Sequence, residues 1–275
     1  MARRSARSWE GETIAALRAR WDRPDVHVYS TIDSTNVRAR ELAEQGSPAG
    51  TLVVADEQKA GQGRRGRGWY SPKGGGLYLS LVLRPAELPN PGLISLLAGL
   101  GMARAVDRLL EGGPAAVKWP NDLIVADRKA GGALSEVSWA ENRPAYVVLG
   151  IGINVHQTRS EFPPALRDVA ISLDMAAGRA VSRLELADHV LDEVEGRCAA
   201  PPADLDADAL RQLDDYDWLR DRRCATVPSP DAEPIAGVAV GIAPDGALLF
   251  RPDRGALQRV KGGHVVVESL PTPDY

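Results

Sequence analysis

The sequence predicts an α+β protein that ends in a small β-barrel, on three observations. Through the first 222 residues, segments with a helical period are interleaved with short strand-like apolar runs. At Arg223 the texture changes. From there to Leu270 no helical period recurs, and β-rich runs at 224–227, 235–243, 247–251, 257–261 and 265–268 are separated by turn signals such as Pro244-Asp245-Gly246 and Gly262-Gly263. The length of 275 residues suits one domain of about 200 residues with a small companion. The expected division is therefore 1–222 and 223–275.

In chain order, residues 8–21 carry Ile14, Leu17 and Trp21 on one helical face, so a short amphipathic helix is expected there. Val26-His27-Val28-Tyr29 follows as a strand. Twenty-five residues precede it, too few for a winged helix-turn-helix domain, and no specific DNA binding is expected. The stretch Ser30 to Asn36 then leads into a helix through Val37, Leu42 and Ala43 that Gly46 can close. Ser34 or Thr35 suits its N-cap, and a cap alone accounts for one hydroxyl. The Asp33-Ser34-Thr35-Asn36 cluster holds more polar groups than a cap uses, at a helix end whose N–H groups also suit a ligand's polar head. Both readings stand at this point.

Residues 51–55 and 76–83 read as strands, the second with leucine at every other position. A long helix is expected from Gly92 to Glu111, with Ile94, Leu97, Gly101, Ala105 and Leu109 as its core stripe. In the next strand pattern, 117–125, Lys118 precedes Trp119, Pro120 and an Asn121-Asp122 turn signal. Strand interiors rarely bury lysine unless it is paired or faces an anion; the alternative is a solvent-facing lysine on an edge strand, which Pro120 permits. Residues 129–137 and 146–155 are two more strands, whose glycines allow close approach of a ligand or another backbone. Packing explains Gly150 and Gly152 but not Asn154 at the end of so apolar a run. Ser182 to Glu185 is a capping box opening a helix to 195, and an acidic-rich helical stretch spans 203–222. The four histidines show no metal spacing and are expected to be structural or exposed.

The segment Lys59 to Trp69, KAGQGRRGRGW, sets four glycines among three arginines between two core strands. Glycine lets backbone N–H groups turn toward a ligand, and guanidinium forks pair with phosphate or carboxylate oxygens, so an anion-binding loop is expected. A solvated basic loop or an RGG-like RNA-binding segment is the competing reading. The rest of the chain limits the choice. It is 44% hydrophobic and 25% charged with a formal charge of −4, which argues against nucleic acid as main partner. The positive charge is local and aimed at something small. Two cysteines cannot make a disulfide framework or zinc site, and no apolar run approaches the roughly 18 residues of a membrane span. A soluble, cytoplasmic protein without a membrane partner is expected.

Together, Asp33-Ser34-Thr35-Asn36, Gln58 with Gly61 to Trp69, Lys118-Trp119-Pro120-Asn121-Asp122, Lys129 to Glu136 and Gly150-Ile151-Gly152-Ile153-Asn154 resemble, in order and spacing, the biotin protein ligase family, over roughly residues 26–270. The resemblance implies a mixed, largely antiparallel sheet with helices on one side and an SH3-like C-terminal barrel. It implies an ATP-dependent ligase that makes biotinyl-5′-adenylate and passes biotin to a lysine of a carrier, the biotin carboxyl carrier protein of acetyl-CoA carboxylase. Carried over by position, Ser34, Thr35, Asn36, Gln58 and Gly132 bind biotin, with Gln62, Gly63 and Arg64 on the loop that closes over it. Lys118 matches the lysine touching the biotin carboxylate and the α-phosphate, and it and Arg64 are the catalytic candidates. Arg65, Arg67, Trp69, Asn121, Asp122 and Asn154 fall on the nucleotide side, and Asp122 is the candidate ligand for Mg2+.

Gln62 stands where many relatives have arginine, and Ala133 where a bulkier aliphatic is usual. No residue stands out as general base for the carrier lysine. The short N-terminal region implies the monofunctional type, as a monomer or homodimer. A lipoate or octanoate ligase of the same fold is the nearest alternative. It needs a deep apolar slot instead of the polar cluster at 33–36, and the arginine-rich loop is not typical of it. An RNA-binding module is opposed by the net charge and the lack of interleaved aromatic residues.

Overall fold

The computed structural model describes residues 3–110, 115–227 and 232–267. Expectations for Glu111 as the end of the long helix, and for residues 268–275, lie outside them.

The chain opens with strand β1 (Arg4–Ser5) and a hairpin of β2 (Ser8–Trp9) and β3 (Glu12–Thr13), then helix α1 (Ile14–Arg20). The helix expected from residue 8 therefore starts six residues later. Glu10 and Gly11 both take positive φ, 50° and 82°, the geometry of a two-residue hairpin turn, and the apolar period begins only at Ile14. Thr13 caps α1 by accepting from the Ala16 N–H. The chain continues through β4 (Val26–Thr31), α2 (Thr35–Glu44), β5 (Leu52–Ala55), β6 (Gly76–Leu83) and α3 (Gly92–Leu109). Next come β7 (Ala115–Lys118), β8 (Asp122–Val125), β9 (Arg128–Ala140) and β10 (Arg143–Asn154). The sequence run 117–125 is thus not one strand but the inner part of a hairpin, with Lys118 paired to Asp122 across its turn.

These strands form one eight-stranded sheet in the order β1-β4-β5-β6-β10-β9-β8-β7. Only the β4–β5 pair is parallel, so the sheet is mixed and largely antiparallel. Its pleat sorts the apolar residues. Leu77, Leu79, Leu81 and Leu83 of β6 join α1 and α3 in the main core, whereas Val82, with Val53, Ala55 and Val148, packs against Ala39, Leu42 and Ala43 of α2. Helices therefore flank both faces, not one. The central strands β5 and β6 are buried along their whole length, and the polar residue Ser80 of β6 is hydrogen-bonded to Thr35 and Asn36.

After β10 come α4 (Leu173–Ala177), α5 (Arg183–Cys198) and α6 (Ala207–Tyr216). Ser182 caps α5 as its capping box predicts. The acidic helix ends at Tyr216, short of 222, because the next residues are stitched to the edge strand: the Trp218 N–H donates to the Val117 carbonyl at 3.0 Å. Strands β11 (Arg223–Val227), β12 (Ile235–Ile242), β13 (Leu248–Pro252), β14 (Gln258–Val260) and β15 (His264–Val267) make a second, five-stranded antiparallel sheet in the order β14-β13-β12-β11-β15. This is the SH3-like barrel. Its Leu248, Phe250 and Val265 belong to the same hydrophobic cluster as α3 and the large sheet. At the junction Trp119 Nε1 donates to the Gly246 carbonyl at 2.9 Å, and Asn90 Nδ2 to the Asp245 carbonyl at 3.0 Å.

Candidate active site

One elongated cavity runs from the start of α2, past the glycine-arginine loop and the β7–β8 turn, to strand β15. Most of the residues singled out in the sequence meet there.

At the α2 end, Ser34 occupies the N-cap position but makes no cap bond. Its side chain is buried, and Oγ has no partner among the described residues. The first amide of the helix is taken by Gln58 instead: the Thr35 N–H donates to Gln58 Oε1 at 2.8 Å. The choice between cap and ligand is thereby resolved locally. Gln58 serves the helix end, and the Ser34 hydroxyl is left facing the cavity. Thr35 Oγ1 lies 3.0 Å from the same Gln58 oxygen and 2.8 Å from Ser80 Oγ. Asn36 sits against Gly150, where a Cβ would come within 1.9 Å of Asn36 Oδ1; any side chain there would expel it.

The loop from 59 to 69 is a folded hairpin-like turn. The Gly63 N–H donates to the Arg67 carbonyl at 2.7 Å and the Trp69 N–H to the Gly61 carbonyl at 2.8 Å. Those two amides are spent within the loop, and its guanidinium heads are the groups that reach the cavity. Arg64 reaches inward and donates to Asn121 Oδ1 at 2.8 Å. Burial weakens its hold on its proton relative to an ordinary guanidinium, opposed by the nearby Asp122 carboxylate. Arg65 takes the left-handed conformation (φ 61°) and its Nη1 meets His264 Nδ1 at 2.8 Å. Arg67, Gly63 and exposed Gln62 also line the cavity.

Past the loop, Lys118 puts its ammonium 5.7 Å from the ring centre of Trp218. Burial lowers its proton affinity below that of a free lysine, Asp122 partly restoring it. Asp122 Oδ1 pairs with Lys129 Nζ at 2.9 Å, and that ammonium lies 5.6 Å from the Trp69 ring. Trp69 lies so close over Gly152 that a Cβ there would sit 2.5 Å from its Nε1. Gly132 leaves room beside Asp122 in the same way, at 3.2 Å. Arg64, Lys118, Lys129 and Asp122 thus form a net-positive group in a half-buried cleft, where an anion is held much more strongly than in water.

Two expectations need revision. Asn154 is not among the residues lining the cavity: it is buried, donates to the Ile171 carbonyl at 3.3 Å and accepts from Gln157 Nε2 at 3.3 Å. Its role is to pin the segment after β10, so an asparagine there ends the apolar run for structural reasons. His264, expected to be structural or exposed, instead contacts the loop from the barrel side. Its proton affinity is lowered by burial and then by Arg65, Arg67, Lys118 and Arg64. Sequence reasoning also passed over Lys129 and Trp218 as site residues. Lys129 opens the glycine-containing strand, a usable signal, whereas His264 and Trp218 are isolated residues that only the docking of the barrel brings here.

Among the described residues no group of three or more His, Cys, Asp or Glu is placed to hold a metal ion. Asp122, the candidate magnesium ligand, is a single carboxylate paired to Lys129. None of the described helices is long and apolar enough to cross a membrane.

The family of biotin/lipoate A/B protein ligases matches over residues 28–154. The bifunctional ligase/repressor BirA of Bacillus subtilis (strain 168) is 40% identical over 164 residues, 59% of this chain and 50% of that one. The chain thus spans about half the length of the first curated relatives it matches. BirA of Salmonella typhimurium is 34% identical over 266 residues, covering 92% of this chain and 77% of that protein. The biotin--[acetyl-CoA-carboxylase] ligase of Mycobacterium tuberculosis is 35% identical over 175 residues, 62% of each chain. Among solved structures, the biotin protein ligase of Aquifex aeolicus in complex with biotin and ATP is similar with a TM-score of 0.74 and 28% identity, over 89% of this chain and 99% of that one.

Proposed function

This chain belongs to the biotin/lipoate A/B protein ligase family, and we propose that it activates biotin with ATP and transfers it to a carrier lysine. The observation that carries this reading is a buried, unpartnered Ser34 hydroxyl with Thr35 and Gln58 at one end of a cavity whose middle holds Arg64 and Lys118. A polar-headed acid fits that arrangement. A lipoyl or octanoyl chain would leave the Ser34 hydroxyl buried without a partner, at a cost of about 1–3 kcal/mol.

In the first half-reaction a biotin carboxylate oxygen attacks the α-phosphorus of ATP, and pyrophosphate leaves. Two anions must approach each other, and the repulsion grows as water is excluded. Lys118 and Arg64 offset it, Lys118 between carboxylate and phosphate and Arg64 above them, with Arg65 and Arg67 as further phosphate partners. Trp69 offers the purine a flat apolar face, and Asn121 and Asp122 border the nucleotide. Magnesium arrives with the nucleotide as its counter-ion. In the second half-reaction the carrier lysine's amine attacks the acyl carbon and AMP leaves with the anhydride oxygen. The loop from 59 to 69 keeps water off the anhydride until then. Residues 223 onward act as a companion domain that closes the far wall. The acceptor is the carboxyl carrier domain of acetyl-CoA carboxylase.

The test is incubation with ATP, magnesium and radiolabelled biotin, followed by addition of a carrier domain. Labelled biotinyl-adenylate and then labelled carrier are expected. Adenylate formed from lipoate or octanoate but not from biotin would overturn the reading in favour of the sister activity.

A further inference from the structure

The chain from Asp56 to Gly76 leaves the large sheet at the end of β5, carries the loop from 59 to 69, and returns at the start of β6. Both feet of this excursion are held by one buried side chain outside the cavity. Arg183, the first residue of α5, donates through Nη2 to Asp56 Oδ1 at 2.9 Å and through Nη1 to the Gly76 carbonyl at 3.2 Å. The same Nη2 donates to Glu10 in the β2–β3 turn, and the guanidinium carbon lies 5.4 Å from the ring centre of Trp9. The feet also touch directly, the Gly74 N–H donating to the Asp56 carbonyl at 2.9 Å. Helix electrostatics do not favour an arginine here. A cation at the first position of a helix meets the positive end of its dipole, and a buried guanidinium is costly unless paired. Asp56 and Glu10 offset both terms, so the residue is placed by its partners and not by α5.

We propose that Arg183 is a positioning residue for retention of the adenylate: it clamps the two feet of the lid, so that the ligands have to order only the loop between them. This rests on the reading of residues 59–69 as a lid over biotinyl-adenylate. The clamp needs the fork of a guanidinium. Its two Nη atoms reach acceptors on different feet, a carboxylate on one and a main-chain carbonyl on the other, whereas a lysine ammonium is a single point charge on a flexible stem. Glu10 separates this role from simple packing. It is bound by the same nitrogen as Asp56 but belongs to the N-terminal hairpin, not to the lid excursion. None of Arg183, Asp56, Gly76 and Glu10 lines the cavity, so their effect on the adenylate has to pass through the loop.

Biotinyl-adenylate is formed on the protein from radiolabelled biotin, ATP and magnesium, and its first-order release is followed for the parent, Asp56→Ala, Arg183→Lys, Glu10→Ala and Arg64→Ala. Asp56→Ala and Arg183→Lys are expected to release it at least fivefold faster than the parent. Amide exchange of residues 59–69 with ligands bound should rise in both. Glu10→Ala should release it within twofold of the parent, with faster exchange confined to residues 8–13. Should Arg183→Lys fail to fold, Asp56→Ala against Glu10→Ala decides the matter. Equal acceleration in Asp56→Ala and Glu10→Ala would reduce Arg183 to a packing residue and overturn the proposal. A parent that forms no adenylate overturns the activity proposed earlier, and one that holds it no better than Arg64→Ala overturns the lid. Leakage from Arg64→Ala with parental release from Asp56→Ala overturns only this inference.

Discussion

Lys118 ends an edge strand and holds its ammonium over Trp218 instead of in open solvent. Its lowered proton affinity marks a cation that is poorly hydrated and gains from meeting an anion. Lys118→Ala is expected to cut biotinyl-adenylate formation by about a hundredfold or more, the scale of losing one charge-stabilising group, while melting within a few degrees of the parent. Adenylate production at the parental rate would show that Lys118 has no part in the reaction. His264 works with the opposite logic. To accept from Arg65 its Nδ1 must be unprotonated, and burial plus four neighbouring cations keep it so. Its folded proton affinity is below the ordinary 6.5, so the contact is fully present above that pH and is lost as pH falls through the depressed folded value. Release of adenylate into solution should therefore rise in the parent as pH falls below 6.5. In His264→Ala the rate should already be high at pH 7 and change little.

At the scale of elements, the loop from 59 to 69 joins the β5 side of the site to the β7–β8 turn through Arg64–Asn121 and to the barrel through Arg65–His264. Fixing a glycine-rich loop costs about 1–2 kcal/mol per residue, and charge-assisted bonds at about 1.5–3 kcal/mol each are what offset it. Biotin plus ATP should slow amide exchange across the loop. Arg64→Ala should retain adenylate roughly tenfold less well and label a bystander protein; unchanged exchange together with no bystander labelling would remove the loop from the role of lid. Strand β10 offers a sharper geometric test. Gly150→Ala puts a methyl where Asn36 Oδ1 stands, so biotin affinity should fall at least tenfold by calorimetry while ATP binding holds.

For the whole molecule, the small barrel and the large sheet share one hydrophobic cluster, so heat or urea should unfold them together, with tryptophan fluorescence and far-UV circular dichroism giving coincident transitions. The junction turn is also where acid should act. Asp245 is held down at about 2, first by the hydrogen bond from Arg259 and then by Lys261, with its own backbone tied to Asn90. A carboxyl depressed in the folded state contributes above its ordinary value and loses that contribution as pH falls toward 2. Asp245→Asn should accordingly lower Tm by a few degrees at pH 7 and leave it unchanged at pH 2.

What the linear chain determined on its own is what short-range physics writes into it. The alternating leucines of β6, the Ser182 capping box, the glycine-arginine loop and the loss of helical period after Arg223 are local patterns, and each led to the right kind of element. Ser34, Thr35, Asn36 and Lys118, which line the cavity, stood out for a related reason: they are polar groups in places where a strand or a cap does not need them. The hairpin at 8–13 was hidden by an apolar spacing that runs on into α1. The early end of α6 was decided by the Val117 carbonyl, a partner about a hundred residues away. Tertiary structure alone brought His264 to Arg65, gave the helix-end amide to Gln58 so that Ser34 was released, moved Asn154 off the cavity wall, and set Arg183 between Asp56 and Gly76. Each of these is a hydrogen bond between residues distant in sequence. A donor or acceptor carries no local mark of which partner it will meet, and only the packed chain supplies the partner.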